Sequence, residues 1–565
     1  MSAFDLVIRG GTIVDGSGGA PFVGDVGIVA GNIAAVGDDL APGAEEIDAA
    51  GLLVTPGFVD VHTHYDGHVT WENRLRPSSS HGVTTAVIGN CGVGFAPCRP
   101  AQRDTLIRLM DGVEDIPAPV LSIGLPWTWE SFPDYLDVLA GRAYDMDVAA
   151  YVPHAALRVF VMGQRGADRE AATPADIARM AALLGEALDA GAIGIGTSRT
   201  LFHRSSDGKP IPTLDSSEAE LFGLADTLRA KGKGVFQIVE DLHLPGASLA
   251  RIRSLAERSG RPVTFSIGAG NDGSGRWRAL LGELEAANDA GLTVRGQIMP
   301  RGIGVMLGHQ LTLNPFYSTA SYLALAALPL DERLEALRRP GVRAAILSEA
   351  MDPNPALLHG TLVRNFDTMF ELGSPPDYEQ PPENSIAARA AAAAVTPEAL
   401  AYDLMLRPDA MLYLAMANYP NGNLDAVGAM LRHRDVVPGL GDGGAHCGTI
   451  CDGSYSTYSL IHWGRDRAEG RLPVEDLVRR LSRETALLMG LEDRGLIAPG
   501  HKADLNLIDF DALALHPPET SHDLPGGQRR LVQRAEGYRA TIVDGQIVYR
   551  DGAATGALPG RLVRA

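Results

Sequence analysis

Gly57-Phe58-Val59-Asp60-Val61-His62-Thr63-His64 is an apolar run that ends in two histidines one residue apart. Side chains two apart on a strand face the same way, so both imidazoles at such a strand end can reach one cation. Neutral imidazole suits Zn2+ and similar borderline metals. Taken alone, the pair serves equally well as two loop histidines without a metal.

Seven further runs share this grammar: residues 83–89, 148–153, 193–198, 235–239, 263–267, 292–298 and 436–441. Together with 57–63 they make eight strand candidates, most of them separated by helix-like stretches. Thr173-Pro174 reads as an N-cap with proline at the first helical position, and Ile177, Met180, Leu183, Leu184, Ala187 and Leu188 follow helical spacing. Ser217 and Glu220 have capping-box spacing before another helix. Eight strand–helix repeats predict a (β/α)8 TIM barrel with a parallel sheet. The interval from about 300 to 435 is too long for one crossover, so an insertion or lid is expected there, with a helical run over 386–395.

Beyond the barrel, both ends of the chain read as short strands and tight turns. Leu6-Val7-Ile8-Arg9 runs into Gly10-Gly11, and Thr12-Ile13-Val14 into Asp15-Gly16. Near the other end, Ala540-Thr541-Ile542-Val543 meets Asp544-Gly545, a two-residue hairpin turn, before Ile547-Val548-Tyr549. The expected organisation is a small β-sandwich domain from 1–56 and 497–565, with the barrel over 57–496.

A barrel enzyme carries its reactive groups at the C-terminal ends of its strands. Cys91 follows Gly82-Val83-Thr84-Thr85-Ala86-Val87-Ile88-Gly89-Asn90, and Asp442 follows Val436-Val437-Pro438-Gly439-Leu440-Gly441. A thiolate there completes or bridges a metal site; a buried small residue is the plain alternative. A carboxylate there takes a proton from an attacking water and returns it to a leaving amine; a turn aspartate before Gly443-Gly444 is the alternative. Weak signals on three separate strand ends reinforce one another.

Composition sets the outer limits. Of 565 residues, 45% are hydrophobic and 21% charged, as in soluble globular proteins. The formal net charge of −20 argues against a nucleic-acid surface. No signal peptide or membrane-length apolar run is read, so a cytoplasmic enzyme acting on a small molecule is expected. Four cysteines are too few for a disulfide framework, and Cys98, Cys447 and Cys451 read as small packed or loop residues.

These motifs resemble the amidohydrolase superfamily, and within it the D-aminoacylase-like branch of N-acyl-D-amino-acid deacylases. Asp5-Leu6-Val7-Ile8-Arg9-Gly10-Gly11 and residues 51–64 look like its opening, Gly89-Asn90-Cys91-Gly92 like its bridging-cysteine motif, and residues 495–504 like its return to the small β domain. The resemblance implies His62, His64, Cys91 and Asp442 as zinc ligands, with Asp442 also the catalytic acid–base. It implies hydrolysis of an N-acyl amino acid, D-configured in that branch. Cyclic amides, carbamates or lactones, and a non-catalytic scaffold, are the other readings. Large barrels of this kind often associate, so a homo-oligomer is an open expectation.

One departure stands out. The branch places histidines at the ends of strands five and six, where this chain has Gln237-Ile238-Val239-Glu240-Asp241 and Thr264-Phe265-Ser266-Ile267-Gly268. One firm metal site is therefore expected, with a second that is weak, altered or absent. Glu240 is a candidate oxygen ligand or equally a helix-start carboxylate, and His243 a compensating imidazole or a solvated loop residue. His154, Ser198, Arg199 and His446 are substrate-binding candidates near strand ends; orienting a loop is the alternative for His154, a surface salt bridge for Arg199, and a place as another metal ligand for His446. His309, His359 and His433, in the insertion, read as packing or surface histidines.

Overall fold

The structure, a computed structural model, describes residues 3–242, 248–352 and 362–564. Its centre is one sheet of eight strands: β1 (Phe58–Asp60), β2 (Val83–Ile88), β3 (Asp147–Pro153), β4 (Gly194–Ser198), β5 (Val235–Val239), β6 (Val263–Ser266), β7 (Val294–Ile298) and β8 (Val436–Pro438). Each strand lies beside its successor in sequence, and every pairing is parallel. The last strand meets the first just beyond their ends: Thr63 and Gly443 form a parallel bridge, and the His64 N–H donates to the Gly443 carbonyl at 2.8 Å. The eight runs read from sequence are these eight strands.

Both faces of the sheet are buried, which explains the near-continuous apolar runs. Val59, Val61, Val87, Ala149, Tyr151, Val235 and Val437 form one cluster with Leu488, Met489 and Leu491. Their neighbours along the same strands, Phe58, Ala86, Ile88, Val148, Ala150, Val152, Phe236 and Ile238, belong to a second cluster shared with the helices. The period of two thus sorts each strand between barrel interior and helical shell.

The helices around the sheet include α1 (Arg103–Glu114), α2 (Pro174–Asp189) and α3 (Glu218–Lys231). Thr173 caps α2 as its sequence predicts, its hydroxyl accepting the Asp176 N–H at 3.2 Å. At α3 only half of the expected capping box forms. Ser217 accepts the Glu220 N–H at 3.2 Å, but the Glu220 carboxylate turns inward to Arg158 and His154.

Between β7 and β8 the insertion carries an antiparallel sheet of Ile303–Leu307, Leu412–Ala417 and Met369–Phe370. The helix read over 386–395 runs Ile386–Ala392 and stops before Ala394, which takes a left-handed φ of 54°. His309 donates to or accepts from the Tyr322 hydroxyl at 3.1 Å, and His433 accepts the Asp435 N–H at 3.2 Å, as packing histidines do. His359 lies outside the described residues.

The two chain ends share a nine-stranded sheet. Its seam is Leu53–Pro56, which pairs with Thr12 and Ile13 on one side and antiparallel with Leu505–Ile508 on the other. Leu6, Ile8, Val26, Leu505, Leu507 and Ile542 are buried together in a core of its own. The Asp544-Gly545 turn has two positive φ angles, 49° and 72°, as a two-residue hairpin of this kind requires. Asp147 at the start of β3 ties this end to the barrel through Arg494 and Lys502, each at 2.7 Å and each largely buried.

Candidate metal centre

Regular pairing of β1 stops at Asp60, whose buried carboxylate accepts the His62 N–H at 3.2 Å. The chain then lifts both imidazoles to the barrel mouth, ring centroids 5.4 Å apart. Cys91 arrives there by a tight turn. Gly89 takes φ +82°, and a β-carbon on it would lie 2.3 Å from the Tyr151 carbonyl oxygen, so only glycine fits. Cys91 itself adopts a left-handed φ of 56°, and its N–H donates to Gln237 Oε1 at 3.0 Å. Leu440, Asp442 and His446 also have positive φ, so backbone strain is concentrated on the loop after β8.

The side chains converge. One donor atom from each of His62, His64 and Cys91 falls within 4.8 Å of the others, and all three residues are buried. His62 Nε2 lies 3.3 Å from Cys91 Sγ and 3.4 Å from Asp442 Oδ1, which in turn lies 3.5 Å from His64 Nε2. Bonds of about 2.0–2.3 Å in a tetrahedral shell place neighbouring donors about 3.3–3.8 Å apart, so these separations suit one zinc-sized ion. Gln297 Oε1 sits 2.7 Å from His62 Nδ1; with Nδ1–H donating there, the bare Nε2 faces the cluster. His64 makes no well-aligned hydrogen bond through either nitrogen, although it is fully enclosed. An imidazole left so in a buried cluster of N, S and O donors fits a cation.

The electrostatics agree. Burial pushes the Cys91 thiol up to about 12 and the His62 imidazolium down to about 4. Burial works against a proton on His64 too, but the charge of Glu114, then Asp442 and Cys91, raise it well above its ordinary value. Burial also opposes ionisation of Asp442, yet His64 and His62 beside it hold the carboxyl below the usual carboxylate range. Without an ion the cluster keeps its protons on sulfur and on one imidazole.

The remaining candidates divide. His446 is at the centre, its Nε2 3.5 Å from Glu114 Oε2. Ser198 donates to or accepts from His203 Nδ1 at 2.9 Å, and His203, pushed down to about 3 by burial and then by His64 and His446, belongs to the same mouth. His154 is fully buried with both nitrogens engaged, by Thr197 at 2.8 Å and Glu220 at 3.0 Å, so neither is left for a substrate. Glu240 does not join the cluster: Arg251 holds it at 2.8 and 2.9 Å, and Arg199 Nε lies 3.6 Å from it. Arg199 also donates to the Ser216 carbonyl and shares Glu240 with Arg251. His243 lies outside the described residues.

Two participants escaped the sequence reading. Glu114, the last residue of α1, is 1% exposed and puts Oε2 3.4 Å from His64 Nε2. His203 sits on the loop after β4. Gln237 and Gln297, which face inward on β5 and β7, occupy positions where their amide oxygens serve Cys91 and His62.

A closed parallel barrel with two imidazoles, a thiol and a carboxylate converging at its mouth defines a metal-dependent barrel hydrolase. The chain belongs to the amidohydrolase family, whose profile, described as Amidohydrolase family, matches residues 45–549. It is similar to the D-aminoacylase of Alcaligenes xylosoxydans xylosoxydans, 28% identical over 571 residues that cover 99% of this chain and 97% of that one. Against the N-acyl-D-aspartate deacylase of the same organism it is 41% identical over 196 residues, 34% of this chain and 36% of that one. A solved D-aminoacylase structure superposes over 100% of both chains at 25% identity with a TM-score of 0.67; that protein has a binuclear metal centre with one-metal activation and second-metal attenuation.

Proposed function

We propose that this chain hydrolyses the amide bond of N-acyl-D-amino acids, with one zinc ion held by His62, His64, Cys91 and Asp442. The observation that carries the reading is Asp442 Oδ1, which lies 3.4 and 3.5 Å from the two imidazoles and stands on the loop after β8, beside the end of their own strand. When bound, the ion supplies a polarised carbonyl and an acidified water. Asp442 takes the proton of that attacking water and delivers it to the leaving nitrogen. Gln297 fixes the ring orientation of His62, and Gln237 holds the turn that presents Cys91. The likeness to D-aminoacylase along the whole chain supports the substrate class, and the one-metal activation of the solved D-aminoacylase is in keeping with a single working ion.

The test is a screen of N-acyl-D- and N-acyl-L-amino acids run beside Asp442→Asn. The variant is expected to keep its metal and lose about 100- to 10,000-fold in kcat on the D-series. Turnover unchanged in Asp442→Asn removes the proton-transfer role, and a preference for cyclic amides or lactones over every N-acyl amino acid removes the substrate class.

A further inference from the structure

The loop after β8 carries three residues at positive φ, Leu440 at 61°, Asp442 at 45° and His446 at 51°. Such a backbone persists only where its surroundings hold it. Part of that support comes from the small β domain. There Leu505–Ile508 and Tyr538–Val543 are antiparallel neighbours, yet the chain between them leaves the sheet as a long arm. The arm pairs Ala514–Leu515 with Ala535–Glu536 and, farther out, Glu519–Leu524 with Gln528–Val532. Its returning strand lies on the loops of the barrel mouth. The Leu531 N–H donates to the Cys447 carbonyl at 2.7 Å, and Arg530 donates to the Arg76 carbonyl at 3.2 Å.

Buried Gln533 is the side chain by which the arm grips that loop. Its backbone carbonyl accepts from His81 Nε2 at 2.8 Å. The His516 carbonyl, 2.9 Å away, can only accept, so Nε2 faces it and Oε1 is turned toward the loop. Oε1 accepts the Ser454 hydroxyl at 2.6 Å, with the Tyr378 hydroxyl at 3.4 Å and an Arg301 N–H at 3.5 Å farther off. Arg301, fully buried just past β7, lies 4.0 Å over the Tyr378 ring and pairs with Asp452. Asp452 and Tyr455 in turn form the floor under Gly441. A β-carbon on Gly441 would stand 2.5 Å from the Tyr455 ring and 3.3 Å from the Asp452 carbonyl oxygen. Asp442 is the next residue. A contiguous row of contacts thus runs from Gln533 through Ser454 and its neighbours to the backbone that presents the carboxylate.

We propose that Gln533 is a positioning residue for Asp442: through Ser454 and the segment 451–455 it holds that carboxylate beside His62 and His64. It rests on the reading of Asp442 as metal ligand and acid–base. The small β domain, through its arm, then takes part in the reaction as well as bracing the barrel.

Gln533→Leu removes the amide at nearly constant volume. Ser454→Ala removes the same bond from the other side by a single atom, so the test stands even if the first variant folds poorly. Both full-length variants are compared with the wild type on N-acyl-D-amino acids and, loaded with one equivalent of Co2+, by visible absorption. Each is expected to lose about 10- to 100-fold in kcat, the order that a displacement of about 1 Å produces, with KM within about threefold and the metal retained. In the Asp442→Asn background the same changes should add less than about twofold, since a group acting through Asp442 has nothing left to position. The Co2+ band should shift in the direction in which Asp442→Asn shifts it. A kcat near that of the wild type in both variants, a loss that repeats in full in the Asp442→Asn background, or a Co2+ band unmoved in both overturns the inference. A wild type that turns over no N-acyl-D-amino acid sinks the substrate class instead, and the Co2+ band alone then decides. A wild type that binds no Co2+ sinks the single-ion reading, and the kinetic comparison decides.

Discussion

Binding of the first ion should release protons, and the structure says how many. Metal ligands bind in their deprotonated forms, so every proton the empty cluster holds at working pH must leave. Cys91, pushed up to about 12 by burial, is a thiol at pH 7.5. His64, raised well above its ordinary value against the pull of burial by Glu114 and its neighbours, is an imidazolium. His62, down to about 4, and Asp442, held below the carboxylate range, carry none. Two protons therefore depart, and raising the pH favours binding. Two protons correspond to about 100-fold in affinity per pH unit, or about 2.7 kcal/mol, while His64 and Cys91 remain protonated. Calorimetry in buffers of different ionisation enthalpy counts the protons, and chelator competition at pH 6.5, 7.0 and 7.5 gives the slope. Glu114, pushed up to about 8 by burial, adds a further fraction in any variant, so the decisive quantity is a difference. Cys91→Ala should release one proton fewer than the wild type, and its slope should fall by about tenfold per pH unit. Equal proton counts in the two proteins would refute the assignment of Cys91 as a thiolate ligand.

Glu220→Gln removes the charge partner of Arg158, both residues being 1% exposed. Breaking a buried pair on one side costs about 3–5 kcal/mol, so the thermal midpoint should drop by several degrees; a loss under about 1 kcal/mol in urea unfolding would contradict the pairing. The carboxyl of Glu220 is held down to about 2, burial opposing and His154 and Arg158 prevailing, so this stability is present above about pH 4.5 and disappears as pH falls toward 2. Gly89→Ala forces a β-carbon to 2.3 Å from the Tyr151 carbonyl at φ +82°. Left-handed strain of about 1–2 kcal/mol is the minimum cost, and the displaced turn should misplace Cys91. Metal analysis should find well under one equivalent per chain, and wild-type metal content at wild-type stability would show the turn to be unimportant.

What could be read from the sequence follows from which interactions are local. The barrel strands were legible because burial on both faces writes long apolar runs, and His62, His64, Cys91 and Asp442 because each follows such a run. Glu240 illustrates the limit. It also follows a strand, but Arg251 on the next helix and Arg199 on the previous loop claim it, and no spacing reveals a partner brought in by the fold. His154 fails in the same way, held by Thr197 and Glu220 from two other elements. Glu114 is the opposite case, for its signal was present. Along α1, Leu106, Ile107, Met110 and Val113 mark the buried stripe at helical spacing, and Glu114 follows Met110 by four, on that same stripe. A charged residue there either ruins the helix's apolar face or answers something charged across from it. The stripe could show the anomaly but not the answer, because His64 lies fifty residues earlier and His446 more than three hundred later, and only barrel closure sets both against the end of one helix. A lone acidic residue on the buried face of a barrel helix is therefore worth testing against every strand-end imidazole in the chain before it is assigned to the surface.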